Sequence, residues 1–268
     1  MLPVTAQLND GPILLHGPRM TVLDDVRCLD SRWAARSIAF LARGRRHFSV
    51  PPTLVMVLPV RSGVDAVRSA ADAAAGCEDW PMTIRGWRGR PDGEAVALTP
   101  YWHNLDRLSA HEAIVELAAL GARHHHSGGQ DRIIVTCQRF VPAYASARVT
   151  VDQPAQRITV RSCWGLDETL DTVFESDDLV LSTPFLEIVR HAVVQKPNAV
   201  QAAEGGTETV SVPPSRRGLP AVGAELGRRF AAACMYLAQE SGRDGQFTIA
   251  LAGDGHHLLS CDLAEEAG

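Results

Sequence analysis

Lysine is almost missing from this chain. Lys196 is the only one among 268 residues, set against 25 arginines. Apart from Lys196 and protonated histidines, a cationic side chain that meets an anion must therefore be a guanidinium, whose planar fork is not equivalent to an ammonium. With the abundance of Ala and Gly, this bias fits a GC-rich genome, in which Arg often stands where another chain has Lys. No apolar run approaches the ~18 residues needed to cross a bilayer. The start, Met1-Leu2-Pro3-Val4-Thr5, has neither the basic nor the apolar segment of a signal peptide. The expectation is a cytoplasmic chain with no membrane contact. Six cysteines are scattered without C-x-x-C spacing and are expected to be reduced core thiols. The sequence also lacks G-x-S-x-G, H-E-x-x-H, Walker A and dinucleotide-binding signatures, which removes the commonest hydrolase and nucleotide-binding classes. A formal charge of −5 with no dominant basic stripe excludes a nucleic-acid coat.

Apolar residues make up 46% and charged residues 21%, as in an ordinary globular chain, and the length suits two lobes. Ile13–Leu15 reads as strand-like. Arg32–Arg43 reads as a helix stopped by Val50-Pro51-Pro52. Thr53–Val60 is a buried strand, Val64–Ala75 an Ala-rich helix, and Met82–Gly86 a strand entering a loop at Gly86–Gly93. Ser109–His124 is a helix, with Ser109 and Glu112 placed as a capping box. The period then changes: Ile133–Val141, Ala147–Val151 and Arg157–Cys163 read as strands. Val200–Pro214 reads as a loop. A long helix runs from Pro220 to Ser241, with Gly242 just past its end. A hairpin of Gln246–Ala252 and His256–Leu263 turns at Asp254-Gly255. The fold class is α+β, with an N-terminal α/β lobe over 1–130 and an antiparallel β-rich lobe with one long helix over 131–268.

Several segments, in order, resemble the nucleotide-binding domain of the phosphoenolpyruvate synthase, pyruvate phosphate dikinase and rifampicin phosphotransferase family. Ser31–Leu41 followed by Ser49-Val50-Pro51-Pro52 is similar to the family's first helix and its V-P-P-G-F. Thr83-Ile84-Arg85-Gly86 is similar to V-R-S-S-A, and Val135–Val141 to V-V-V-Q-x-M-V. Ser146–Val149 is similar to the S-G-V that follows. Trp164-Gly165-Leu166-Asp167-Glu168 resembles G-L-G-E. Ala221–Ser241 and Phe247–Leu263 resemble the late helix and closing hairpin. The resemblance implies an ATP-grasp-like fold of two lobes with a cleft between them. It implies ATP as the cofactor, with Arg85 on phosphate, Gln138 near the adenine, Glu168 on the nucleotide and Arg36 in place of the family's first-helix lysine.

The departures matter equally. The family's metal-binding Glu falls near Ile249, its Gln near Ser260 and its Arg near Asp262, and no acid occurs between Gln246 and Gly253. Mg²⁺ is therefore expected to contribute little, and no metal ligands are assigned. Trp87-Arg88-Gly89-Arg90-Pro91 replaces the Gly-rich loop that covers the phosphates in the family. The family's phosphohistidine domain has no counterpart in these 268 residues, so the expectation is a chain without that carrier. Three functions stay open. One is a stand-alone, degenerate domain that binds a nucleotide, a phosphorylated small molecule or a partner protein with little phosphotransfer of its own. The second is an active ATP-dependent phosphotransferase subunit whose phosphohistidine domain lies on another chain. The third is a scaffold without nucleotide.

Other residues weigh less. Arg85 suits either a phosphate or a structural ion pair. Gln138 is also read as a hydrogen-bonded strand residue, and the neighbouring acids Asp167 and Glu168 as solvated turn carboxylates. His124-His125-His126 suits a solvated helix end better than a metal site. His256 and His257 must face opposite sides of a strand. Tyr101-Trp102-His103-Asn104 suits either a ligand contact or core packing.

Overall fold

Two antiparallel sheets form the framework of the computed structural model, whose described residues are 19–22, 41–59, 64–75, 81–89, 95–123, 132–172 and 174–263. The first sheet contains β1 (Arg19–Val22), β2 (Thr53–Pro59), β3 (Met82–Gly89), β4 (Ala95–Leu105) and β5 (Arg132–Arg139), in the order β1-β2-β5-β3-β4. Two helices, α1 (Val64–Ala75) and α2 (Arg107–Arg123), lie on one face of it. Met56, Ile84, Ile133 and Val135 meet Val67, Ala71, Ile114 and Leu117 there. In α2 the buried residues Ala110, Ala113, Ile114, Leu117 and Ala118 recur at helical spacing and form one apolar stripe.

The second sheet contains β6 (Ala145–Asp152), β7 (Arg157–Trp164), β8 (Asp177–Ser182), β9 (Glu187–Ala192), β12 (Gly245–Ala252) and β13 (Gly255–Leu263), in the order β13-β12-β6-β7-β8-β9. A long helix, α3 (Ala224–Ser241), covers one face. Its Phe230, Cys234 and Leu237 pack on Val149, Val160, Leu179 and Phe247. Each such side chain taken out of water contributes about 1.5–3 kcal/mol. Val55 and Ile134, from the first sheet, join this same core, so the two sheets share packing. The hairpin of β10 (Asn198–Ala203) and β11 (Gly206–Ser211) forms a separate two-stranded piece.

The expected mixture of helices with antiparallel strands is present, with several changes in detail. The capping box is displaced: α2 starts at Arg107, and the Ser109 amide donates to Asp106 Oδ1 at 2.8 Å. Asp106 is therefore the cap, because a carboxylate one turn earlier reaches the third amide of the helix. Gly86–Gly89 is not loop but the end of β3, laddered to β4 and β5. Gly86 fits because a Cβ there would lie 2.6 Å from Leu117 of α2. Val200–Pro214 is mostly the β10–β11 hairpin rather than loop, its strands closing through Ala203 and Gly206. The long helix begins at Ala224, four residues after Pro220, and ends as expected on Gly242 at φ 66°, whose amide bonds the last turn. Ile13–Leu15, residues 32–40 with Arg36, and His124–His126 lie outside the described residues. Among the described residues no helix is long and apolar enough to cross a membrane.

The solitary lysine is an internal tie. Lys196 is 1% exposed, and its Nζ donates to Asp177 Oδ1 at 2.5 Å and to the Val194 carbonyl at 2.8 Å. Asp177 also accepts from the amides of Val194 and Ala221 at 3.1 and 2.8 Å. One carboxylate thus gathers the start of β8, the strand exit near 194 and the approach to α3. Removing one partner of a buried pair leaves the other charge unpaired, at a cost of about 3–5 kcal/mol. Lys196→Met should lower the unfolding free energy by that amount in urea titrations at neutral pH. A loss under ~1 kcal/mol would show that the pair is dispensable.

Candidate functional site

A second group of buried and half-buried charges gathers where the two sheets meet. Alternation along β3 puts Thr83 and Arg85 on one face, and alternation along β4 does the same for Tyr101 and His103. The second sheet contributes Arg148 of β6 and the 3₁₀ turn Asp167–Asp171. Gly165 makes that turn possible. Its φ is +81°, and a Cβ there would lie 2.2 Å from the Val200 carbonyl of β10. The chain turns off β7 under β10, with the Leu166 amide bonded to that carbonyl at 2.8 Å. Ser146 Oγ donates to the Gly165 carbonyl at 2.8 Å and fixes the exit from β7.

Two guanidinium–carboxylate pairs result. Arg85 Nη2 lies 3.1 Å from Asp167 Oδ2 and Nη1 donates to the Leu259 carbonyl at 3.3 Å, with side-chain exposures of 12% and 5% for the pair. The Arg85 guanidinium stands 5.4 Å from the centre of the Tyr101 ring, within reach of its π face. Arg148 meets Asp171 through two bonds of 2.6 and 3.0 Å. The Tyr101 hydroxyl donates to the same carboxylate at 2.7 Å. Burial would raise the Asp171 pKa, but the bonds from Arg148 and Tyr101 outweigh it and hold the carboxyl below its ordinary range. The Tyr101 hydroxyl is pushed well above its ordinary value by burial, then by the charges of Asp167 and Asp171.

His103 is enclosed between these pairs. Its Nδ1 contacts Thr83 Oγ1 at 3.0 Å, while Nε2 lies 3.6 Å from Asp167 Oδ1 and 3.8 Å from Glu168 Oε1. Both carboxylate distances exceed hydrogen-bond length. Burial lowers the His103 pKa despite the adjacent acids. Beside the cluster opens a depression of about 340 Å³, lined by Tyr101, Glu168, Asp171, Thr172, Val200 and residues 207–209. The turn of the β10–β11 hairpin is held over β4 by the Asn104 amide, which donates to the carbonyls of Ala203 and Gly206.

Two of the four candidate residues, Arg85 and Glu168, meet at this cluster. Gln138 is buried in β5 and donates to Thr53 Oγ1 at 3.2 Å; with His103 and Asp167 it lines only a void of about 10 Å³. Arg36 is outside the described residues. Asp167 is not a solvated turn carboxylate: the Gly165 turn carries it inward to Arg85. In the Tyr101–Asn104 run, Trp102 packs on the first sheet's core while Tyr101 and His103 enter the cluster. Arg148 and Asp171 were missed. The available signal was Arg148 itself, an arginine inside a strand whose Ala147 and Val149 are fully buried.

The remaining candidates fall elsewhere. Ile249, at the family's metal-ligand position, is fully buried. Among the described residues no group of three or more His, Cys, Asp or Glu side chains is arranged for a metal ion. His256 and His257 face opposite ways, one edge-on to Phe230 and the other bonded to Asp254 at 2.9 Å. Cys137, Cys163, Cys234 and Cys261 are all buried. Burial, then Asp167, pushes the Cys163 thiol to about 12, far from a nucleophile's range.

No family model matches the chain, and neither does any curated protein. Among solved structures, it is similar to the Chryseobacterium gregarium RiPP-associated ATP-grasp ligase in complex with ADP and a leader and core peptide. That match has 8% identity and a TM-score of 0.36, over 82% of this chain and 49% of that one. It is also similar to the macrocyclase MdnC bound with precursor peptide MdnA from Microcystis aeruginosa MRC, at 10% identity and a TM-score of 0.37, over 85% and 51%. The chain thus spans about half the length of either. Both structures are distant, and the comparisons give no support to the phosphoenolpyruvate synthase family assignment.

The His103 environment has a measurable consequence. Unfolded His103 takes up a proton near its ordinary pKa of about 6.5. The folded residue stays neutral to lower pH. Between those two values the unfolded state binds more protons, so stability falls as pH falls below ~6.5. Denaturation at pH 7.5 and 5.5 should show this loss, and His103→Gln should make it smaller. An unchanged difference would mean that His103 titrates alike in both states.

Proposed function

We propose that the chain is a divergent ATP-grasp-like domain that binds a nucleotide or a phosphorylated small molecule at the junction of its two sheets, with little phosphotransfer of its own. The observation that carries this is the placement of Arg85. The residue that the resemblance puts on phosphate stands beside Tyr101, whose ring lines the depression. Arg148 stands behind the same wall through Asp171. An anion entering there has two guanidinium groups within one side chain of it. Their forks suit phosphate oxygens bidentately.

The residues fit ATP only in part. Both guanidinium groups are already neutralised by aspartates, so a phosphate must displace a carboxylate before it gains a full ion pair. That competition favours weak binding. Phosphoryl transfer further needs metal-held phosphates in line with an acceptor. The closing hairpin offers Ile249 and Ser260 where the family has its oxygen donors. Mg²⁺ is therefore a minor contributor, and a phosphohistidine partner is not required. The pairing of Arg85 with Asp167 and of Arg148 with Asp171 favours one other reading, a scaffold in which the ion pairs only join the sheets.

Calorimetry with ATP separates the two. Matched titrations with Mg²⁺ and with EDTA should agree within about threefold, or ~0.7 kcal/mol. Asp167→Asn frees Arg85 from its competitor and should tighten ATP binding by about tenfold. Arg85→Ala in that background should cost roughly 1.5–3 kcal/mol. Absence of binding in both the native chain and Asp167→Asn would establish the scaffold reading. A tenfold gain with Mg²⁺ would contradict the degenerate site.

A further inference from the structure

Among the described residues the second sheet ends on a strand with no outer neighbour. Among the described residues, β9 ladders only with β8. Glu187–His191 are all exposed, Val189 by 63% and Ile188 by 42%, and Phe185 just before them by 82%. Four of the exposed large apolar side chains, Phe185, Ile188, Val189 and Val193, fall within this one segment. Neither Glu187 nor Arg190 makes an ion pair among the described residues.

Edge strands are usually blunted by charge or a bulge, because their free amides and carbonyls recruit other strands. This edge has both, yet their arrangement is self-complementary. In the β8–β9 ladder Glu187 stands opposite Ser182, Ile188 opposite Leu181 and Arg190 opposite Val180; Val189 is the extra residue of a bulge. Leu181 and Leu179 face the α3 core, whereas Ser182 and Val180 face the other way. Glu187 and Arg190 therefore share the face away from α3. In a regular strand, residues three apart would lie on opposite faces. The bulge cancels that difference.

A two-fold axis perpendicular to a sheet keeps each face on its own side. Antiparallel self-pairing about an axis between Ile188 and Val189 sets Glu187 against Arg190 of the second copy, twice. It also sets Ile188 against Val189, and brings Phe185 to the Ala192–Val193 end of the second strand. Opposite charges facing across strands are favourable and like charges are not. An isologous contact of this kind closes as a dimer and leaves no free β9 edge. We propose that β9 pairs with β9 of a second copy of this chain, joining the two six-stranded sheets edge to edge.

Sedimentation velocity over about 1–200 μM tests this with charge reversals at exposed positions. The native chain should pass from monomer to dimer within that range. Arg190→Glu and Glu187→Arg should each weaken association by at least about tenfold, since two attractions become two repulsions. The double variant E187R/R190E should restore it. A circular-dichroism melt of each variant checks that folding is intact. A native chain that is monomeric throughout overturns the proposal. So does a dimer that ignores the single reversals or is not rescued by the double variant.

Discussion

The ion pair between Arg85 and Asp167 joins two sheets that otherwise carry separate helices. Arg85 comes from β3 of the first sheet and Asp167 from the turn that leaves β7 of the second. Apolar packing at the shared core is non-directional and would tolerate small slides between the sheets. A guanidinium held at once by a carboxylate and the Leu259 carbonyl does not tolerate them, since those bonds weaken steeply with angle. The positions of Tyr101, His103 and Asp171 relative to one another follow from that constraint.

The cluster is balanced toward negative charge. Arg85 and Arg148 face Asp167, Glu168 and Asp171, while burial keeps His103 uncharged. Arg148 also lies directly opposite Arg161 in the β6–β7 ladder, a like-charge pairing that is unfavourable unless each is neutralised. Asp171 serves the first and Asp178 the second. The carboxylates are thus part of what lets two arginines stand side by side in one sheet.

Much of this could be seen in the residues beforehand. Apolar periodicity marked α1, α2, α3 and the strands from β5 to β7, because burial on one face writes itself into spacing. Gly242 and the Asp254-Gly255 turn announced their own backbone demands. What stayed hidden had weak local signals. In the β10–β11 hairpin only the adjacent Ala199 and Val200 are buried and β11 is half-buried or exposed throughout, so there is no apolar alternation to show. Asp167 and Glu168 looked alike as adjacent acids. Only the positive φ of Gly165, set by its approach to β10, sends one inward and leaves the other at the rim. Arg148 and Asp171 are 23 residues apart, and no local pattern links them.

The burial of Lys196 removes the last side-chain amine from the surface. All other basic side chains, histidine aside, are guanidinium groups. Acylating reagents, aldehydes and amine-directed cross-linkers will therefore find no lysine on the folded molecule. A protease that cuts after lysine has one possible bond, and that bond precedes Pro197 behind a buried lysine side chain. Acylation of this single Nζ would report the opening of the β8 region, one atom recording when the interior is breached.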